Sequence, residues 1–185
     1  MTTTSVAPST ASNRRYYLEL GQGRWTGKFS FHMTDWRGFW KDHLGIVNRL
    51  LGLMMAAWQA IFGDSKIDSS LVGHPDQDRA LNLVRIHRFG ITLYLLQEQY
   101  LLHQDGRNVT VVSYERFGPI PFLFGGHKNH PAEIHDPGTS STYYMPLLGT
   151  AWMGHYQIAD DKNHVNARLV CQWAYSEEII SRVTS

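Results

Sequence analysis

Residues 94–117 read YLLQEQYLLHQDGRNVTVVSYERF, and the fold turns on how this stretch doubles back on itself. Asp105-Gly106 is a pair favoured by the type I′ hairpin turn, whose two central residues need positive φ. With those two residues as the loop, position 102 faces 109, 100 faces 111, 98 faces 113 and 96 faces 115. Side chains alternate across a strand. One face therefore carries Tyr94, Leu96, Glu98, Tyr100 and Leu102 beside Val109, Val111, Ser113, Glu115 and Phe117. The other carries Gln97, Gln99, His103, Thr110, Tyr114 and Arg116. The first face is the more apolar and is expected to point inward.

A second hairpin follows the same rule. A turn at Asp160–Asn163 puts Trp152, Gly154, Tyr156 and Ile158 on one face with Val165, Ala167, Leu169, Cys171 and Trp173. His155, Gln157, Asn166, Arg168 and Gln172 fall on the other. Strand patterns also cover 82–89, and the second hairpin's strands span about 142–158 and 164–175. SEEIISRV near the end reads either as a strand or as a capped helical turn, and 64–80 as a loop with one helical turn near His74-Pro75-Asp76. Hairpins with one wet and one dry face suit a mainly β (α+β) chain, an antiparallel β-barrel or strongly curved sheet.

Upstream, RWTGKFSFHM at 24–33 alternates with Trp25, Gly27, Phe29, Phe31 and Met33 on one side, the mark of a half-buried strand. Asp35 then stands at an N-cap position, and Trp36, Trp40, Leu44, Val47, Leu51, Met54, Trp58 and Ile61 recur at helical spacing until Gly63. Gly45 is placed to divide this stretch in two, and Gly45 and Gly52 to allow close packing. Between Leu50 and Phe62 only Gln59 is polar, so this helix is expected to be covered on more than one side, across a barrel opening or against a partner chain.

Composition narrows the class. A chain of 185 residues suffices for one core, with residues 1–13 a disordered lead and 14–185 a single domain. Seventeen basic against sixteen acidic residues, with no basic stripe, give no sign of a nucleic-acid partner. No apolar stretch reaches the roughly 20 residues of a transmembrane segment, and the start lacks the pattern of a signal peptide. Cys171 is the only cysteine, which favours a reducing, cytoplasmic location, and on a dry face it is expected to be inert. There is no P-loop, dinucleotide fingerprint, zinc ribbon or Ser-His-Asp motif, so no cofactor is expected.

Glu98 and Glu115 are the leading chemical candidates. Carboxylates facing an apolar interior shift their pKa, find a donor, or serve a site. With Tyr100 they form the candidate catalytic set, an acid–base group of the kind cofactor-free isomerases and cyclases use. The plainer reading is a slipped register, or glutamates near a wet barrel mouth. Tyr94, Phe117, Met54, Trp58, Trp152 and Tyr156 are the candidate ligand-binding residues, with Met145 and Met153 as further adaptable apolar surface. His127, His130, Glu133 and His135 lie close together, but their spacing matches no metal motif and reads as a polar loop, so no metal is assigned.

Gly23-Arg24-Trp25 resembles the Gly-x-Trp signature of calycins, the lipocalin and fatty-acid-binding-protein group. That resemblance implies that Trp25 closes one end of the barrel under a basic residue of the last strand, for which Arg182 is available. It also implies that the helical segment after the first strand acts as a lid. This segment is longer than that family's lid, and fewer than the family's ten strands are legible. Otherwise Trp25 is an ordinary core aromatic. The chain then reads as a carrier or sensor of a small hydrophobic molecule held in a barrel cavity. The alternatives are a cofactor-independent cyclase, isomerase or dehydratase on the same scaffold, and a homodimeric interaction module.

Overall fold

A computed structural model describes residues 18, 22–103, 108–118, 130–136, 140–145, 150–159 and 161–184. Among the described residues, ten strands form one antiparallel sheet: β1 (Gly23–Met33), β2 (Ser65–His74), β3 (Arg79–Arg88), β4 (Ile91–Leu102), β5 (Asn108–Phe117), β6 (His130–Asp136), β7 (Ser140–Met145), β8 (Thr150–Ile158), β9 (His164–Val170) and β10 (Ala174–Arg182). Each pairs with its sequence neighbours, and β1 pairs with both β2 and β10, so the strongly curled sheet closes on itself.

Both expected hairpins are present in register. Tyr94 pairs with Phe117, Leu96 with Glu115, Glu98 with Ser113 and Tyr100 with Val111. Gly154 pairs with Leu169, Tyr156 with Ala167 and Ile158 with Val165. The turn residues Asp105 and Gly106 lie outside the described residues.

Four segments differ from the sequence reading. Residues 65–74 are β2 rather than loop, because Ser65, Ile67, Ser69 and Leu71 alternate inward and the serines hide the apolar rhythm. His130–Asp136 is β6 rather than loop, paired with β5. The single strand expected over 142–158 is two, β7 and β8. SEEIISRV resolves as strand, its residues up to Arg182 belonging to β10, which pairs along β1 from Trp25–Arg182 to Met33–Ala174.

The segment after β1 forms two helices, α1 (Trp36–Lys41) and α2 (Ile46–Phe62), divided at Gly45. Asp35 caps α1, its Oδ1 accepting from the Gly38 amide at 2.9 Å. Gly63 ends α2 at φ 69, a conformation costly for other residues. Gly52 lets the helices meet, since a Cβ there would sit 2.9 Å from the Phe39 ring. Because α1 and α2 join the Met33 end of β1 to the Ser65 end of β2, they sit at that end of the barrel.

Among the described residues, α2 is covered on the side that carries Leu51, Gly52 and Met55. All three are buried, and Gln59 Oε1 accepts from the Phe31 amide at 3.0 Å. Val47, Leu50, Met54 and Ile61, spaced along the outer face, are exposed. Within one chain the barrel meets the Leu51–Met55 side of α2 and leaves this outer stripe exposed. No helix among the described residues is long and apolar enough to cross a membrane.

Aromatic packing fills the helical end. Phe39 and Trp173 are fully buried with ring centroids 5.0 Å apart, and Trp152 stands 6.0 Å from Trp173. The Trp173 Nε1 donates to Asp42 Oδ2 at 2.9 Å, and its carbonyl accepts from the Thr34 and Asp35 amides, which ties the β9–β10 turn to the start of α1. At the opposite end, the Arg182 guanidinium lies 4.5 Å from the centre of the Trp25 ring and donates to the Gln22 carbonyl at 2.6 Å.

Candidate functional site

Between the two ends the inward face turns polar. Glu98 on β4 and Glu115 on β5 are both buried, as the hairpin register requires. Glu98 Oε2 accepts from the Tyr100 hydroxyl at 2.5 Å and from Asn82 Nδ2 at 3.0 Å. Asn82, on β3, is held in turn by the Ser69 hydroxyl of β2, 3.0 Å from its Oδ1. Ser113 is buried directly across from Glu98. Three adjacent strands, β2, β3 and β4, thus build one hydrogen-bonded group around a single carboxyl, with Ser113 of β5 beside it.

A third carboxylate joins from another wall. On β10 the inward positions are Ala174, Ser176, Glu178 and Ile180, with Ser176 opposite Phe31 and Glu178 opposite Phe29. Strands β1, β2 and β3 separate β10 from β4, so Glu178 reaches the interior from across the ring. Burial pushes its pKa up to about 7, and the Glu98 charge adds to the rise. Glu178 nevertheless keeps some accessible surface, as do Ser69, Asn82, Val84, Tyr100 and Ile180 on the same inward face.

Burial also raises the pKa of Glu98, against the pull of the Tyr100 and Asn82 hydrogen bonds. Tyr94 is raised well above the ordinary phenol value, first by burial and then by the charges of Glu115, Glu98 and Glu178. Its hydroxyl lies near Glu115, yet meets hydrogen-bonding geometry with no described group. The Trp152 indole N–H also lacks an acceptor among the described residues.

The structure thus brings Glu98, Glu115, Tyr100 and Tyr94 together, with Trp152 on the inward face of β8, 6.4 Å from the Phe31 ring. Met54 does not belong to this set; it is 50% exposed on the outer face of α2, because the helix presents Met55 to the barrel instead. Met153 likewise points outward, one residue out of phase with Trp152. Trp58 is partly buried at the helical end, donating to the Ser65 hydroxyl at 3.0 Å. The side chains of Phe117, Met145 and Tyr156 lie outside the described residues, as do His127 and the side chains of His130, Glu133 and His135. Cys171 is half-buried and its pKa is raised by burial, which disfavours the thiolate.

Glu178, Asn82 and Ser69 escaped the sequence reading. The signal for Glu178 was available: continuing the alternation Ala174, Ser176, Glu178, Ile180 as a strand puts it on the face of the buried alanine. For Asn82 and Ser69 there was no comparable signal, since β2 was not recognised and its pairing sets their proximity.

An outer cleft of about 600 Å³ is lined by Lys28, Phe62, Lys66 and Arg88 on the outside of the wall, apart from the carboxylates. The chemistry available inside is of two kinds: hydrogen-bonding and charge recognition of a small molecule, and proton exchange by Glu98 and Glu178, whose pKa values are raised by burial. No protein-family model matches this chain, nor does any curated protein or solved structure.

Proposed function

We propose that this protein binds a small, largely apolar molecule inside a calycin-like barrel, as a carrier or sensor, with α1 and α2 as the lid. One observation carries the reading: a polar group of enclosed yet partly accessible side chains stands in the middle of an otherwise apolar interior. Ligand sites are typically apolar cavities with a few convergent polar groups. The Arg182–Trp25 stack at one end and the helices at the other support a lumen closed at both ends. Native mass spectrometry of the purified protein, with titration of the neutral dye N-phenyl-naphthylamine, tests it. A retained small molecule or saturable dye binding quenched by Trp152→Phe or Leu96→Trp supports the reading, and absence of both contradicts it.

A second reading is a cofactor-independent cyclase, isomerase or dehydratase. It is favoured by the 2.5 Å contact of Tyr100 with a carboxyl whose pKa is raised, since such a pair can hold and pass a proton. Under it, Glu98→Gln and Glu115→Gln bind ligand but lose turnover. A carrier with the same changes shows only weaker binding of polar-headed ligands.

A further inference from the structure

The outer cleft carries a one-sided charge. Among its described lining residues Lys28, Lys66 and Arg88 are cationic and Asp64 is the one acid, a surplus of two positive charges. Lys28 on β1 pairs directly with Lys66 on β2, and both are exposed on the outer face. Like charges opposed across two strands weaken a sheet. The ion pairs among the described residues join His87 to Asp68, His164 to Asp161 and Arg168 to Glu177, and neither lysine takes part in one. Asp68, on the same outer face of β2, is already engaged: it accepts from the Thr26 hydroxyl at 2.7 Å and lies 2.8 Å from His87 Nε2.

A second observation concerns how Arg88 is held. Its guanidinium donates to the Asp64 carbonyl and lies 5.0 Å from the centre of the Phe89 ring. Phe89, in the two-residue turn between β3 and β4, takes φ 51 and is 74% exposed. A left-handed backbone strains a bulky residue, and a ring this exposed gains little from burial to offset that strain. The Phe89 ring instead flanks Arg88 and meets Phe62 of the cleft at 6.1 Å. Fixed by one hydrogen bond and one ring, the guanidinium keeps further N–H donors for a ligand.

We propose that this cleft binds a small, doubly charged anion on a flat apolar body, of the phosphomonoester class, with Lys28, Lys66 and Arg88 around the anion and Phe62 against the body. Two negative charges match the surplus, and charge-assisted hydrogen bonds to them relieve the repulsion between the two lysines. A cleft of about 600 Å³ has room for such a ligand. The site lies outside the barrel wall and is independent of what the lumen holds.

Calorimetric titration with phenyl phosphate, phenyl sulfate and phenol at about pH 8, where a phosphomonoester is a dianion, tests the proposal. The three share a ring and differ in charge. Phenyl phosphate is expected to bind at least about tenfold tighter than phenyl sulfate, with phenol weakest. Lys28→Gln and Lys66→Gln should each weaken phenyl phosphate by about three- to tenfold without lowering the urea midpoint, since each also removes the like-charge contact. Phe89→Asn, which suits the left-handed conformation, should keep the fold and weaken binding as Arg88 loses its platform. Lys162→Gln, in the β8–β9 turn at the Arg182 end, should leave binding unchanged. Three results overturn the proposal: no binding of phenyl phosphate, binding no tighter than that of phenol, or an equal loss in Lys162→Gln and Lys28→Gln. Binding untouched by all three cleft variants overturns it as well.

Discussion

Phe39, Trp173 and Trp152 under the helices, and Glu98, Glu115 and Glu178 at mid-barrel, are enclosed by the same ring of strands but affect the fold in opposite directions. The aromatic group gains from every contact it makes: large rings leave water and pack edge to face. The carboxyl group gains little by burial, and hydrogen bonds to Glu98 from Tyr100 and Asn82 only partly offset the cost of removing charge from water. A chain that needed only stability would fill that space with leucine. The contrast separates the part of the interior that holds the barrel from the part available for a ligand.

The largest effect should come from the aromatic end. Trp173→Ala removes a fully buried ring and its hydrogen bond to Asp42, and should cost about 3–5 kcal/mol in urea unfolding. Met55→Asp, which puts an uncompensated charge into the same packing, should cost a similar amount, about 3–5 kcal/mol. A loss under about 1 kcal/mol in both would mean that the helices do not rest on the barrel as described.

The belt should respond with the other sign. The Glu178 pKa rises from 4.5 unfolded to about 7 folded, so the native state holds a proton that the unfolded chain has released between those values. Stability is therefore full below about pH 4.5 on this account and declines as pH rises towards 7. Glu178→Gln removes the dependence. It should stabilise the protein by roughly 2 kcal/mol at about pH 8 and change little at about pH 4. A variant less stable than wild type at the higher pH would show Glu178 to be paired or solvated, which would erase the contrast.

The smallest effect belongs to the outer stripe of α2. Met54→Asp, at a half-exposed position, should shift stability by no more than about 0.5 kcal/mol, one residue away from the costly Met55→Asp. If Met54→Asp instead dissociates an oligomer in sedimentation velocity, the stripe is an interface between copies.

How much of this was legible in the sequence follows the same division. The hairpin of β4 and β5 could be read residue by residue, because Asp-Gly fixes a register and apolar alternation fixes the inward face. That reading placed Glu98 and Glu115 inside, and Tyr100 beside Glu98. The helical segment, its cap at Asp35 and its division at Gly45 were equally plain. Less legible was any wall built from small polar residues. Ser65 and Ser69 on β2, and Ser176 and Glu178 on β10, occupy inward positions without the apolar rhythm that identifies a strand. The side of α2 that meets the barrel was also hidden, since Met54 and Met55 look alike in a helix apolar nearly all round. In both places pairing and packing with distant segments decide the outcome.

The account stands on Glu98 and Glu178 facing one another inside the ring. Carbon-13 NMR titration of glutamate side-chain carboxyls, assigned with Glu98→Gln and Glu178→Gln, tests this most directly. The account predicts that Glu178 titrates near pH 7 and Glu98 above the ordinary glutamate range. It also predicts that Glu98→Gln lowers the Glu178 midpoint, because part of the rise comes from the Glu98 charge. Both carboxyls titrating at the ordinary value, each indifferent to removal of the other, would contradict the carboxylate belt and the site built on it.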